Sequence, residues 1–170
     1  MERKYLRYIF YVFEIFVLNS VNGAPGLSFS GVRPLLLAAV FVLISIFESA
    51  SVSFMFGILI GFLIDFSFGR AFGFSFIFLG FFGGFLSFIF ERFLRPGLFW
   101  AVIFSGLTAG VLLAGDVSFY ILKGFNGGEI IAKNYLKMAI LTSFCSVFVY
   151  FLNKIILHFT KENLNERQIR

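Results

Sequence analysis

Between residues 51 and 96 the chain reads SVSFMFGILIGFLIDFSFGRAFGFSFIFLGFFGGFLSFIFERFLRP, and within it Gly57, Gly61 and Asp65 recur at every fourth position. On a helix that interval sets the three on one nearly continuous row, and Gly69 and Gly73 repeat it across a bend. Such a row is a docking face. Where helices meet in lipid there is little hydrophobic drive between them, so positions without a side chain, which let backbones approach closely, hold neighbours together. Gly80, Gly83 and Gly84 offer a second notch of the same kind on the following apolar segment. Asp65 ends the first row, and a carboxylate there needs a partner or water.

The rest of the chain has the same solvent in view. Of 170 residues, 59% are hydrophobic and only 14% are charged, and the mean hydropathy is +0.95. A soluble domain of this length has far more charge to cover its surface. At about 20 apolar residues per crossing, the apolar positions suffice for about six spans and leave short loops. The pattern predicts an all-α integral membrane protein. It forms a single polytopic domain over 1–170, with spans near residues 5–21, 34–47, 52–66, 72–90, 98–114 and 135–159 and a polar tail over 160–170. The spans over 34–47 and 52–66 are short for a bilayer core of about 30 Å, which calls for local thinning or for helix ends set in protein-lined cavities.

The start of the chain admits two readings. Arg3, Lys4 and Arg7 ahead of an apolar run, with small residues near 22–26, have the outline of a secretory signal. Glu14 favours a retained first helix, because signal cores seldom hold a carboxylate, whereas a polytopic protein turns one inward toward a polar group on another helix. Between residues 115 and 133 lies the longest interior loop, whose segment VSFYILKGF is apolar enough for a short interfacial helix. Counting Lys and Arg by side gives nine (Arg3, Lys4, Arg7, Arg92, Arg95, Lys154, Lys161, Arg167 and Arg170) against five (Arg33, Arg70, Lys123, Lys133 and Lys137). The positive-inside rule then places both termini in the cytoplasm.

Composition also bounds the chemistry. The net charge of +5 comes from residues at span ends and not from one basic patch interleaved with exposed aromatics, so nucleic acid is not an expected partner. One cysteine, Cys145, and one histidine, His158, leave no internal disulfide and no metal-ligand cluster. There is no nucleophile beside a histidine base, and no glycine belongs to a phosphate-binding loop. The expectation is a non-enzymatic protein without metal or cofactor. The ionisable residues in or near the spans are Glu14, Glu48, Asp65, Arg70, Glu91 and Asp116. Asp65 reads either as a polar contact that fixes its helix against a neighbour or lines a substrate cavity, or as a solvated helix end or a cap for the start of the next helix. The elbow holding Glu91, Arg92 and Arg95 reads as solvated, with contact to anionic lipid or a cytosolic partner as the other reading. The 29 phenylalanines are expected to fill lipid-facing and inter-helix space.

The run Gly57, Gly61, Asp65, Gly69 and Gly73, preceded by Arg33-Pro34-Leu35 and followed by Gly80, Gly84 and a basic elbow, resembles the rod shape-determining protein MreD family. The resemblance covers roughly residues 33–95; Arg70 and Ala71 depart from the small or turn-forming residues expected at the bend. It implies a protein of the bacterial inner membrane that belongs to the cell-elongation machinery and helps position peptidoglycan synthesis. The implied partners are the bitopic protein MreC, the actin-like MreB, RodA and a penicillin-binding transpeptidase. It also implies a fold resembling the substrate-binding S component of energy-coupling-factor transporters. On this reading Gly57, Gly61, Asp65, Gly69, Gly73, Gly80 and Gly84 serve helix packing and partner binding, with Asp65 and Glu14 adding polar specificity inside the membrane. The rival reading is an S component proper, holding a vitamin-like ligand with Asp65, Arg70, Asp116 and Asn134.

Overall fold

The structure, a computed structural model, describes residues 2–23, 32–68, 73–122 and 128–159. They form six helices: α1 (Glu2–Gly23), α2 (Leu36–Phe47), α3 (Ala50–Phe68), α4 (Phe74–Arg92), α5 (Leu98–Leu122) and α6 (Gly128–Phe159). Four of them carry segments long and apolar enough to cross a membrane, over Ala50–Ser67, Phe74–Arg92, Leu98–Ser118 and Lys133–His158. The protein is therefore a multi-pass membrane protein, and its helical architecture was legible from hydropathy alone. The expectation of about six spans is met in part, and the two helices that fall short do so for different reasons. Charged residues at its start and Glu14 in its middle make α1 too polar, and α2 has only 12 residues.

Helix α2 is the centre of the molecule. It is about 18 Å long at 1.5 Å per residue, and every residue from Leu36 to Ile46 is buried. A helix that is apolar all round is covered all round, and α2 touches each of the other five helices. Two antiparallel hairpins, α3 with α4 and α5 with α6, close around it, and α1 lies along one side. Pro34 precedes the helix. The Leu35 N–H, which no helical carbonyl receives, donates to Thr142 Oγ1 on α6 at 2.9 Å, so the start of α2 is fixed laterally.

Cross-helix contacts fix the direction of each element. At the end that holds the start of α1 and the end of α6, here the basal end, Arg7 meets Glu48 and Phe47 meets Tyr150. At the opposite, apical end Ser67 donates to Asn19 Oδ1 at 3.1 Å. Aromatic stacking continues from α4 into the core: Phe74 on Phe78, Phe78 on Phe82, and Phe82 on Phe41 of α2, with ring centroids 6.0, 5.1 and 6.3 Å apart. Other rings, among them Phe13, Phe81, Phe144 and Phe148, face outward.

One expectation is corrected. Residues 115–122 do not begin a loop; they complete the last turns of α5, and Gly128–Asn134 already belongs to α6. Gly115 survives inside a helix because the Phe74 ring lies against it where a side chain would otherwise project. The bend at Gly69 and Arg70 and the tail over 160–170 lie outside the described residues.

Candidate functional site

At Gly57 and Gly61 the glycine row is filled from within the chain. A Cβ on Gly57 would land on the Leu79 carbonyl, and one on Gly61 would land on the backbone of Ser75 and Phe76. Both obstacles are main chain, which has no rotamer by which to move aside. Absence of a side chain at these positions is thus what allows α3 and α4 to lie backbone to backbone. Gly83, the middle member of the second notch, receives the Phe41 ring of α2 and the Ser53 carbonyl of α3. Gly80 faces the Ile58 side chain, while Gly84 has only ordinary contact, 3.8 Å to the Ala50 carbonyl. The residues that matter at these notches therefore include Ser53, Leu79 and Phe41, which carry no small-residue signal of their own.

Asp65 closes the apical end of the hairpin. It is 1% exposed, and its Oδ2 accepts the Gly73 N–H at 3.0 Å. Gly73 precedes α4 with φ of 112°, a left-handed conformation that favours glycine. Carboxylate and glycine together set the start of α4, since an N–H at a helix start has no helical acceptor of its own. Asp65 Oδ1, Ser75 Oγ and Asn22 Oδ1, all buried at this end, have no hydrogen-bond partner among the described residues. Gly69 and Arg70 lie outside those residues.

Among the described residues the densest polar cluster is basal. Glu48, directly after α2, is 2% exposed. Its Oε1 accepts the Tyr11 hydroxyl at 3.1 Å and lies 2.9 Å from Arg7 Nε, an ion pair whose N–H is not aligned for a hydrogen bond. The Glu48 carbonyl accepts the Ser87 hydroxyl of α4. One turn above Tyr11, Glu14 Oε1 accepts Asn153 Nδ2 of α6 at 2.7 Å, and the same amide reaches back to the Val149 carbonyl at 3.2 Å. Arg7, Tyr11 and Glu14 lie at i, i+4 and i+7, one face of α1. That polar face turns into the bundle toward α2 and α6. Sequence reasoning found Glu14 and its need for a partner on another helix, and it noted Glu48 without seeing its companions. The i, i+4, i+7 spacing on α1 was the available signal.

The arrangement can orient helices. Its hydroxyl, amide and carboxylate groups are bonded across element boundaries, and burial excludes most competing water. Around the basal end, Glu91, Arg92 and Arg95 are exposed, and Arg92 lies over the Phe88 ring at 5.9 Å. No protein-family model, no curated protein and no solved structure matches the chain.

Proposed function

We propose that the chain is a non-enzymatic scaffold of the bacterial inner membrane, an MreD-like component of the cell-elongation machinery that binds an MreC-like bitopic protein and helps position peptidoglycan synthesis. In this reading all six helices lie in the membrane as one bundle, and the basal end, with both termini, faces the cytoplasm. The α3–α4 hairpin carries the reading. Gly57 and Gly61 are filled by the backbone of α4, which makes the hairpin a stiff pair, and α4 presents an outward stripe of Ile77, Phe81, Phe85 and Phe88. The spacing of four, four and three residues is that of one helix laid along another. The partner is its single transmembrane helix, and the exposed basic elbow below the stripe meets the cytoplasmic flank of that helix.

A photo-crosslinking residue placed at Phe81 or Phe85 in cells tests this. The expected product joins the chain to a single-span partner, and the same residue at Phe144 on α6 gives none. Equal labelling of phospholipid from both faces, with no protein adduct, sinks the proposal. The apical atoms of Asp65, Ser75 and Asn22 that find no hydrogen-bond partner among the described residues favour the second reading, a ligand-binding S component. That reading expects a vitamin-like molecule and an ATPase module to co-purify in place of the bitopic partner.

A further inference from the structure

Two carboxyl groups are buried toward the basal end of the bundle, and their surroundings differ. Glu48 has the Arg7 guanidinium 2.9 Å away and the Tyr11 hydroxyl at 3.1 Å. Glu14, 7% exposed, has no cation beside it among the described residues. Its partner is the amide of Asn153 on α6, which is fully buried. A carboxylate taken out of water keeps its charge only against a cation or several donors. Glu14 has one N–H, from Asn153 Nδ2 at 2.7 Å.

The same contact leaves a matched pair of atoms over. Asn153 Nδ2 donates to the Val149 carbonyl at 3.2 Å as well as to Glu14 Oε1. A backbone carbonyl can only accept, so it fixes which way the amide is turned. Asn153 Oδ1 and Glu14 Oε2 are then both buried and without a hydrogen-bond partner. Each belongs to a planar group whose other polar atom makes the 2.7 Å bond, so both stand at one junction between α1 and α6. Two acceptors cannot serve each other. One proton on Oε2, donated to Oδ1, satisfies both and completes the two-point pair that a carboxylic acid forms with a primary amide. A hard metal cation takes about six oxygens, and this junction offers only these two.

The neighbouring charges leave that proton in place. On α1, Tyr11 lies one turn below and gives its hydroxyl to Glu48, which also holds Arg7. Helix α2 has no ionisable residue before Glu48, and α3 has only Asp65, at the apical end. On α6, Lys154 and His158 are exposed.

We propose that Glu14 and Asn153 form a buried proton-binding site that couples α1 to α6, with Glu14 held as a neutral acid whose Oε2–H donates to Asn153 Oδ1, so that loss of the proton weakens the junction. This does not depend on the scaffold reading. Infrared spectroscopy of the intact protein in neutral detergent at neutral pH tests it. The natural protein minus Glu14→Gln is expected to show the carbonyl band of one protonated carboxyl, shifted in heavy water. Asn153→Ala, which keeps the acid and removes its partner, moves that band to higher frequency. A carboxylate band in its place overturns the proposal. Reversible unfolding in mixed micelles gives a second readout. Glu14→Gln keeps both hydrogen bonds and has no proton to lose, whereas unfolding of the natural protein exposes Glu14 to water, where it ionises. From mildly acid to mildly alkaline buffer, the folding equilibrium constant of the natural protein therefore falls relative to that of Glu14→Gln, by up to about tenfold per pH unit. Groups common to both proteins cancel in that ratio. A ratio that does not change with pH overturns the proposal, and so does stabilisation by sodium ions that Glu14→Gln abolishes.

Discussion

Arg7, Tyr11 and Glu48 show how a few polar side chains fix an apolar bundle. With its carboxylate 2% exposed, Glu48 relies on the Arg7 ion pair and the Tyr11 hydroxyl for compensation of its lost hydration. Removing Arg7 takes from the buried Glu48 carboxylate the cation 2.9 Å away, so Arg7→Leu is expected to lower unfolding stability in mixed micelles by about 3–5 kcal/mol. Tyr11→Phe, which deletes a single hydrogen bond to a carboxylate, costs about 1.5–3 kcal/mol. The double variant Arg7→Leu/Glu48→Leu removes both charges and recovers most of the loss. If the double variant is no better than Arg7→Leu alone, the ion pair is not what holds this junction. These partnerships were only half visible in the sequence. A carboxylate inside an apolar run announces that a partner exists, which singled out Glu14, but Asn153 lies 139 residues away, and nothing local on α6 distinguishes it from an interfacial asparagine.

At the level of helices, spacing was more informative than at the level of single contacts. The four-residue glycine interval in α3 gave the close-packing face directly, because backbone contact leaves a periodic mark. It did not give the neighbour, since α4 of the same chain and a helix of another protein require the same small residues. A graded series separates the two. Gly57→Ala and Gly61→Ala each force α3 and α4 apart and are expected to destabilise the bundle by about 1–3 kcal/mol. Gly84→Ala meets only a 3.8 Å contact and stays within about 0.5 kcal/mol of the natural protein. Uniform tolerance across all three, measured by thermal unfolding in detergent, would remove the hairpin from its central place. For α2 the ambiguity lay in the solvent: a run of apolar residues reads alike whether lipid or protein surrounds it. Length was the discriminating clue, because 12 residues span about 18 Å, well short of the hydrocarbon core.

For the whole molecule the informative case is α1, whose sequence is too polar to cross as an isolated helix. Tyr8 packs on Phe56 of α3 near the base, and Asn19 accepts from Ser67 of α3 near the apex. Eleven residues separate the two contact points on each helix (8 to 19, and 56 to 67), so α1 and α3 run parallel and in register over about 16 Å. α3 is apolar and long enough to span, and in the proposed reading α1 is carried across beside it, with its polar face turned inward to Glu48 and Asn153 and with Ile9, Phe13 and Phe16 facing outward. The proposed reading therefore expects the start of α1 and the end of α6 on one side of the membrane, together with the elbow at Arg95, and Arg33 on the other. The measurement is side-specific labelling in a Cys145→Ala background. An amino-terminal tag and a cysteine at Arg95 should be reached from the same side by an impermeant reagent, and a cysteine at Arg33 only from the opposite side. An amino terminus found with Arg33 means that α1 does not cross, and then neither the Arg7–Glu48 pair nor the Glu14–Asn153 bond can form as the fold requires.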